Sequence, residues 1–147
     1  MALRRVLCAT DFSRASRPAF RMALAVARRA GARLLLLHVL TPPSPFVSGR
    51  HPAPASYLAL LEAARRQARR QLASWLARAQ AARVRAEARL VEGGPAEQIR
   101  RVSVRWRAGL IVIGTHGRTG VRRVVMGSVA DQVVRSASRP VLTVRGR

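Results

Sequence analysis

The sequence predicts an α/β fold: one domain with an open, parallel, five-stranded sheet and helices on both of its faces. Apolar segments of strand length alternate with segments in which apolar residues recur every three to four positions, which is typical of strands joined by helical crossovers. Two strand segments, ARLLLLHV and LIVIG, are continuously apolar, as expected where helices cover both faces of a strand. The 147 residues contain no repeat and no composition boundary, so we expect a single domain over 1–147.

The first strand and the first helix are predicted from the segment that follows the start of the chain. The strand is expected at about 3–9, where LRRVLCAT is mostly apolar. Ser13 and Ser16 are candidate N-caps of the helix, and Pro18 suits its first turn. Gly31 suits the left-handed residue that follows a helix end.

The second strand is predicted at about 33–39 from the ARLLLLHV segment. A proline-rich segment at 41–54 follows, and neither a helix nor a central strand is expected there. A long helix is predicted at about 55–81, with Trp75 on its apolar stripe and therefore in the core.

The second half of the chain continues the alternation of strands and helices. VRAEARLVE alternates strictly between apolar and polar residues, which predicts a half-exposed strand at the edge of the sheet. Pro95 opens a helix that reaches about Arg107, LIVIG at 110–114 is a buried strand, a short helix covers about 127–137, and VLTVR forms the last strand.

The charge of the chain is its most unusual compositional feature. Arginine supplies all 28 basic residues, there are six acidic residues, and the net charge is +22. Such an excess indicates either a polyanionic partner or a coding bias that places arginine on solvated helix faces. The single cysteine, Cys8, lies in an apolar strand and is interpreted as a packed thiol; it excludes an intrachain disulfide and fits a reducing cytoplasm.

A glycine-rich segment after the fourth strand carries the clearest signal of a binding site. Gly114, Gly117, Gly127 and Ser128 follow the spacing G-x2-G-x9-G-S. Glycines allow close approach of main-chain N–H groups to an oxygen, and Ser128 stands where the next helix begins, so unpaired N–H groups and the positive end of the helix dipole face an anion. The pattern predicts a phosphate cradle without a Walker ending; the alternative is that the glycines serve only turns.

The segments ATDFS, LLHV and LIVIGTHGRTG…MGSVADQVVRSASRPVLTVR resemble the universal stress protein family, ATP-binding subtype, and the resemblance covers essentially the whole chain. It implies a Rossmann-like sheet of order 3-2-1-4-5, similar to the adenine nucleotide alpha hydrolases. It also implies ATP across the carboxyl ends of the strands and a homodimer formed through the last strand. A physical argument points the same way, because a terminal edge strand exposes unpaired main-chain groups unless it is covered or paired.

The resemblance assigns residues to each part of ATP. Asp11, flanked by Ala9 and Thr10, would lie at the base and ribose, Val39 would read the adenine edge through its backbone, and Ile113 and Gly114 would lie beside the ribose. The phosphates would be surrounded by Gly117, Arg118, Gly127, Ser128 and Val129. An N-cap role for Asp11 in the first helix is the alternative, and it is compatible with the first role.

Other polar residues give weaker signals. His38 is interpreted as a core or strand-end histidine, and His116 as a hydrogen-bonding residue of the phosphate loop. The six scattered acids form no catalytic pair, so no catalytic residue and no protein metal site are assigned. Mg²⁺ could accompany the triphosphate, although Asp11 and Asp131 are the only aspartates. Gly109 stands where many family members carry Asp.

Three function classes remain open at this point. The first is an ATP-binding regulatory protein of the stress response, with slow hydrolysis at most, in which the nucleotide changes the surface offered to protein partners. The second is a basic module that binds nucleic acid or another polyanion. The third is a true ATPase or nucleotidyl transferase. No membrane association is expected, because no apolar run reaches the roughly 18–20 residues of a bilayer span.

Arg118→Ala tests the phosphate loop. The guanidinium fork suits a phosphate group, so we expect the substitution to weaken ATP binding in isothermal titration calorimetry. Unchanged ATP affinity would mean that Arg118 is a solvated charge.

Overall fold

The computed structural model describes residues 2–42, 54–116 and 126–146 and confirms the predicted fold class. The strands are β1 (Arg5–Ala9), β2 (Arg33–Leu40), β3 (Ala86–Glu92), β4 (Leu110–Gly114) and β5 (Val141–Val144). The helices are α1 (Arg17–Ala30), α2 (Pro54–Ala81), α3 (Pro95–Arg105) and α4 (Ser128–Ser136). Within these residues the strands form one parallel sheet in the order β3-β2-β1-β4-β5.

The start and end of α1 follow the sequence signals closely. A 3-10 turn at Arg14–Ser16 precedes the helix, and the Ser13 side chain caps it by accepting a hydrogen bond from the Ser16 N–H at 3.2 Å. Gly31 ends α1 in the left-handed conformation, with φ 61°. The predicted glycine stop is therefore confirmed.

The remaining boundaries differ from the predictions by a few residues, and each difference has a local cause. β3 starts at Ala86 rather than Val84, because the Val84 N–H still donates to the Ala79 carbonyl of the preceding helix. α3 ends at Arg105, and Arg107 turns the chain with φ 55°. Most of the proline-rich segment, 43–53, lies outside the described residues.

Two cores lie on opposite faces of the sheet, and the continuously apolar β2 contributes to both. Leu34 and Leu36 pack towards α1 and α2, whereas Leu35 and Leu37 pack towards α3 and α4. All four side chains are fully buried. A strand with two covered faces needs apolar residues at every position, which explains why this segment shows no alternation.

The interpretation of Cys8 and Trp75 as core residues is confirmed. Trp75 is 7% exposed and contacts Phe20, with 4.6 Å between ring centroids. Cys8 is completely buried in the same core, and burial raises the pKa of its thiol to about 12. At neutral pH the thiol is therefore protonated and inert.

β3 lies at one edge of the sheet, as its alternating pattern predicts, and it uses acidic residues to bind neighbouring elements. The Glu92 carboxylate accepts hydrogen bonds from Arg65 of α2 at 2.5 and 3.1 Å, and these bonds lower the pKa of Glu92. Glu87 accepts a hydrogen bond from the indole N–H of Trp106. Among the described helices, none is both long enough and apolar enough to cross a bilayer.

Candidate functional site

A pocket of about 340 Å³ opens at the carboxyl ends of β1, β2 and β4. This volume lies in the range of small-molecule sites, roughly 300–1,000 Å³. The loop after β1 and the first turns of α3 and α4 complete its wall. The pocket therefore occupies the end of the sheet where ligands of open α/β folds bind.

The sheet topology explains why the pocket opens at this position. Ala9, at the end of β1, is in register with Leu37 of β2 on one side and with Ile113 of β4 on the other. The chain leaves β1 towards β2 and β3, and later returns to β1's other side to form β4 and β5. This reversal leaves a crevice between the β1 and β4 ends, because no crossover covers it.

Thr10 holds the loop after β1 through all of its polar groups. Its N–H donates to the Leu37 carbonyl at 2.9 Å, and its carbonyl accepts from His38 Nδ1 at 2.8 Å. Its hydroxyl accepts from the Phe12 N–H at 2.9 Å and lies 3.2 Å from the Ser16 hydroxyl. Because Ser16 Oγ donates to the Ser13 carbonyl, the Thr10 hydroxyl is the donor in that pair.

Phe12 has a backbone conformation that is rare for a bulky residue. Its φ is 63°, in the left-handed region, which costs a non-glycine residue on the order of 1–3 kcal/mol. Its ring contacts His38 at 4.5 Å and Trp75 at 5.6 Å between centroids. This aromatic packing and the bond to Thr10 offset the strain, and the strained loop lies directly beside the pocket.

Asp11 follows Thr10 and lines the pocket. Its Oδ1 accepts a hydrogen bond from the Ser13 N–H at 3.0 Å, which is the geometry of an Asx turn. The N-cap role considered for Asp11 is wrong, because Ser13 caps the 3-10 turn that leads into α1. The turn fixes the carboxylate at the pocket.

Gly114 allows the β4 end and the loop after β1 to approach each other. A Cβ at this position would lie 3.3 Å from the Ala15 carbonyl oxygen and 3.6 Å from the Ser16 Cα. Main-chain atoms cannot easily move away, so a larger side chain would push the two walls apart. The absence of a side chain at Gly114 is what permits this close approach.

The N-terminus of α4 forms another wall of the pocket. Gly127 precedes the helix, and its N–H donates to the Thr115 carbonyl at 2.5 Å. Its carbonyl accepts the first helical bond, from the Asp131 N–H at 2.9 Å. The intervening N–H groups, those of Ser128, Val129 and Ala130, have no partner within the helix, as at every helix start. They and the helix dipole favour an anion here.

Nine of the residues predicted for the site line this one pocket: Ala9, Thr10, Asp11, Val39, Ile113, Gly114, Gly127, Ser128 and Val129. Gly117 and Arg118, the other two, lie outside the described residues. The structure thus brings together residues that are far apart in sequence. What they bind stays a prediction.

Several pocket residues were not predicted. Pro95 and Ile99 of α3 and Thr41 after β2 contribute to the wall, and His38 lines it as well. His116 also lines the pocket, and the sequence had already placed it in the phosphate loop. Pro95 follows the end of β3, and all parallel strands end at the same side, so the position of this helix start could have been inferred. The start of this helix carries no charged residue in the pocket lining, so the residue types did not indicate a role in ligand binding.

The two histidines differ in their contacts. His38 is 6% exposed, and its Nδ1 carries the hydrogen because the Thr10 carbonyl can only accept. His116 Nδ1 lies 3.0 Å from the Thr115 hydroxyl, and its Nε2 is buried with no hydrogen-bond partner among the described residues. The strand-end interpretation of His38 is confirmed, since it lies near the end of β2. Within the described residues no three His, Cys, Asp or Glu side chains are grouped to hold a metal ion.

Comparison with known proteins gives consistent results. The universal stress protein family matches the chain over residues 2–145. The universal stress protein MJ0531 of Methanocaldococcus jannaschii is 32% identical over 142 residues, which cover 97% of this chain and 82% of that protein. The structure of universal stress protein UspA from Lactobacillus plantarum has a TM-score of 0.85 at 24% identity and covers 99% of both chains. A universal stress protein solved in complex with cAMP has a TM-score of 0.75 at 25% identity and covers 100% of both.

Thr10→Val tests whether the Thr10 hydroxyl holds the loop. The isosteric substitution leaves the Phe12 N–H without its acceptor, so we expect the free energy of unfolding in urea to fall by about 1–3 kcal/mol. Thr10→Ser keeps the hydroxyl and removes one methyl group, so it serves as the control and should cost about 1 kcal/mol or less. Equal stability of the two variants would show that the hydroxyl contributes nothing.

Proposed function

The chain belongs to the universal stress protein family, and we propose that it binds ATP in the pocket at the carboxyl ends of β1, β2 and β4. In this proposal the nucleotide makes the protein a regulator in the stress response. One observation carries the proposal: a single pocket combines the N-terminus of α4 with the carboxylate of Asp11. These two groups differ in charge, and a nucleoside triphosphate has complementary parts for both.

The Asp11 side of the pocket suits the nucleoside. A carboxylate accepts hydrogen bonds from ribose hydroxyls, and the Asx turn holds it in place for that purpose. Val39 and Ile113 give an apolar lining beside it, on which a flat base can lie. The relative solved with cAMP supports an adenine nucleotide as the ligand class.

The α4 side suits the phosphates. The N–H groups of Ser128, Val129 and Ala130 form a compact set of donors at the positive end of a helix dipole, and a Ser128 hydroxyl lies next to them. The glycine spacing predicts that Gly117 would complete the cradle, and the family resemblance adds Arg118. Mg²⁺ would be held mainly by the phosphates and water, because Asp11 is the one carboxylate among the described pocket residues.

The contacts of the polar groups in the pocket fit a regulatory protein better than an enzyme that turns over ATP. His38 already donates from Nδ1 to a main-chain carbonyl, and His116 Nδ1 already lies beside the Thr115 hydroxyl. The His38 nitrogen that carries the hydrogen is thereby held by the main chain and is not available as a base. We therefore propose slow hydrolysis at most. The fully buried, protonated Cys8 agrees with the cytoplasm as the site of action.

A homodimer through β5 is part of the proposal. β5 is at an edge of the sheet, and its four residues are only half-buried in the single chain. Pairing with a second β5 would satisfy the unpaired main-chain groups and cover these side chains.

The dimer is tested by size-exclusion chromatography with light scattering. We expect twice the 16.1 kDa chain mass at micromolar concentration. Thr143→Pro removes a main-chain donor from the edge strand, and it should shift the protein towards the monomer if β5 forms the interface. A wild-type monomer would contradict this part of the proposal and leave nucleotide binding open.

Asp11→Asn tests the nucleotide site. The amide keeps the oxygen that accepts from the Ser13 N–H but loses the charge, so we expect ATP affinity to fall by roughly tenfold to a hundredfold, as for loss of a charged hydrogen bond. Calorimetry with ATP, ADP, AMP and cAMP measures this and ranks the ligands. Mass spectrometry of nucleotide released from the denatured protein identifies the resident one.

Glu97→Gln is the matched control, because Glu97 is an exposed acid in the first turn of α3 that does not line the pocket. It removes the same charge and should leave ATP affinity unchanged. Flat titrations with all four nucleotides would refute the proposed function.

A further inference from the structure

Among the described residues, the end of the molecule opposite the pocket carries twelve of the 28 arginines. All strands run parallel, so at this end every strand begins and every helix ends. The last turns of the helices, the connections and the strand starts carry the following arginines, which together we name the cationic end: Arg4, Arg5, Arg28, Arg29, Arg33, Arg78, Arg83, Arg85, Arg105, Arg107, Arg135 and Arg139. Apart from the half-buried Arg5 and Arg139, they are exposed.

Few of these charges are neutralised. Glu87 lies 3.6 Å from Arg33, and Asp131 forms a bond of 3.0 Å with Arg135. Those are the ion pairs of the cationic end among the described residues. The other acids of the chain lie towards the pocket end, where Glu62 and Glu92 both bind Arg65. The positive charge of the cationic end is thus largely uncompensated.

Two members have a main-chain role that explains their position. Arg5 donates from Nη1 to the Trp106 carbonyl at 2.6 Å, and Arg85 donates from Nη2 to the Gly31 carbonyl at 3.1 Å. Side chains that bind the last carbonyls of a helix stabilise its end. Within the described residues, Arg4, Arg28, Arg29, Arg78, Arg83, Arg105 and Arg107 make no such contact with a main-chain carbonyl.

Arg83 and Arg107 stand where glycine would be more stable. Both follow a helix end in the left-handed conformation, with φ of 59° and 55°. The equivalent residue after α1 is Gly31, with φ 61°. A residue other than glycine is destabilised in the left-handed conformation, and a solvent-exposed position does not by itself require arginine there. The molecule places a guanidinium at these turns at a cost in stability.

We propose that the cationic end is a docking surface for the phosphate backbone of double-stranded nucleic acid. The guanidinium group binds phosphate through two parallel hydrogen bonds, and the surface offers many such groups on a face about 20 Å wide, estimated from five strands spaced about 4.8 Å apart. A duplex presents one phosphate charge per roughly 1.7 Å of its axis, so several phosphates meet this face at once.

The apolar residues of this end favour a duplex over other polyanions. Trp106 is the aromatic residue here, and it is 8% exposed beneath Arg5, which lies 5.7 Å from its ring centroid. No described aromatic side chain at this end is therefore open for base stacking, as single strands require. The large exposed apolar residues here are Val104 and Val134, which lack the bulk of the Trp, Phe or Leu that insert into membranes.

The decisive comparison uses a pair of variants with equal loss of charge at opposite ends. Arg83→Gly/Arg107→Gly removes two charges from the cationic end and also relieves the left-handed strain, so the fold should be as stable as before or more so. Arg14→Gln/Arg17→Gln removes two exposed charges near the start of α1, at the pocket end. Thermal unfolding verifies that both remain folded.

Binding is measured by fluorescence anisotropy with two labelled duplexes of unrelated sequence over a range of NaCl concentrations. We expect the glycine variant to reduce the slope of log K against log salt by about 2, equally for both duplexes, because each lost phosphate contact removes roughly 0.9. The glutamine variant should keep the wild-type slope, and saturating ATP should leave duplex affinity unchanged.

Three outcomes would overturn the proposal. The first is no duplex binding at low salt. The second is an equal effect of both variants, which would show that only total charge matters. The third is tighter binding to phosphatidylglycerol vesicles that the glycine variant lowers while duplex binding stays constant, which would make the surface a membrane contact. The same variants are also titrated with ATP. This titration measures the proposed nucleotide site directly, so a failure of the duplex proposal can be told apart from a failure of the proposed function.

Discussion

The single direction of all five strands determines where each functional group of this protein lies. Because the strands are parallel, every strand ends at one side of the sheet and every helix ends at the other. The side of the strand ends collects helix N-termini, main-chain donors and the carboxylate of Asp11. The opposite side collects helix C-termini, whose partial negative charge accommodates arginine. The topology therefore places helix N-termini beside the pocket and helix C-termini at the end where the arginine side chains lie.

The loop after β1 connects the core to the pocket. Two contacts hold Phe12 in its left-handed conformation. The Thr10 hydroxyl accepts a hydrogen bond from the Phe12 N–H, and the Phe12 ring packs against His38 and Trp75. Trp75 belongs to α2, so this helix packs on the same residues that position Asp11. Strain at Phe12 is thus balanced by the core, and the carboxylate at the pocket gains a fixed orientation. A substitution that loosens this packing would alter the loop beside the pocket through two contacts, those of the Phe12 ring with His38 and with Trp75.

Elements whose burial leaves a local sequence pattern could be predicted from the sequence, whereas contacts between elements distant in sequence could not. The continuous apolar run of β2 and the glycine after α1 each follow from a local requirement, so the sheet and its helices were predictable. Nine pocket residues were predicted as well, through the family resemblance together with the glycine spacing and the rule that ligands bind at the strand ends. The left-handed Phe12 and the contribution of Pro95 depend on how distant elements meet, and no local pattern encodes that. Ser13 caps as the sequence indicates, whereas the alternative N-cap role of Asp11 is not realised, because its side chain accepts from the Ser13 N–H within the same loop.

The distance between the two ends argues that they act independently. β2 has eight residues, so the strand ends lie about 26 Å from the strand starts at roughly 3.3 Å per residue. The Debye length at physiological salt is about 8 Å, so solvent ions screen most of the field that a triphosphate in the pocket would exert at the cationic end. Direct electrostatic coupling between nucleotide and polyanion is therefore weak. Coupling between the two ends would instead pass through packed contacts, and among the described residues the stack of His38, Phe12 and Trp75 joins the pocket to α2, whose last turn carries Arg78.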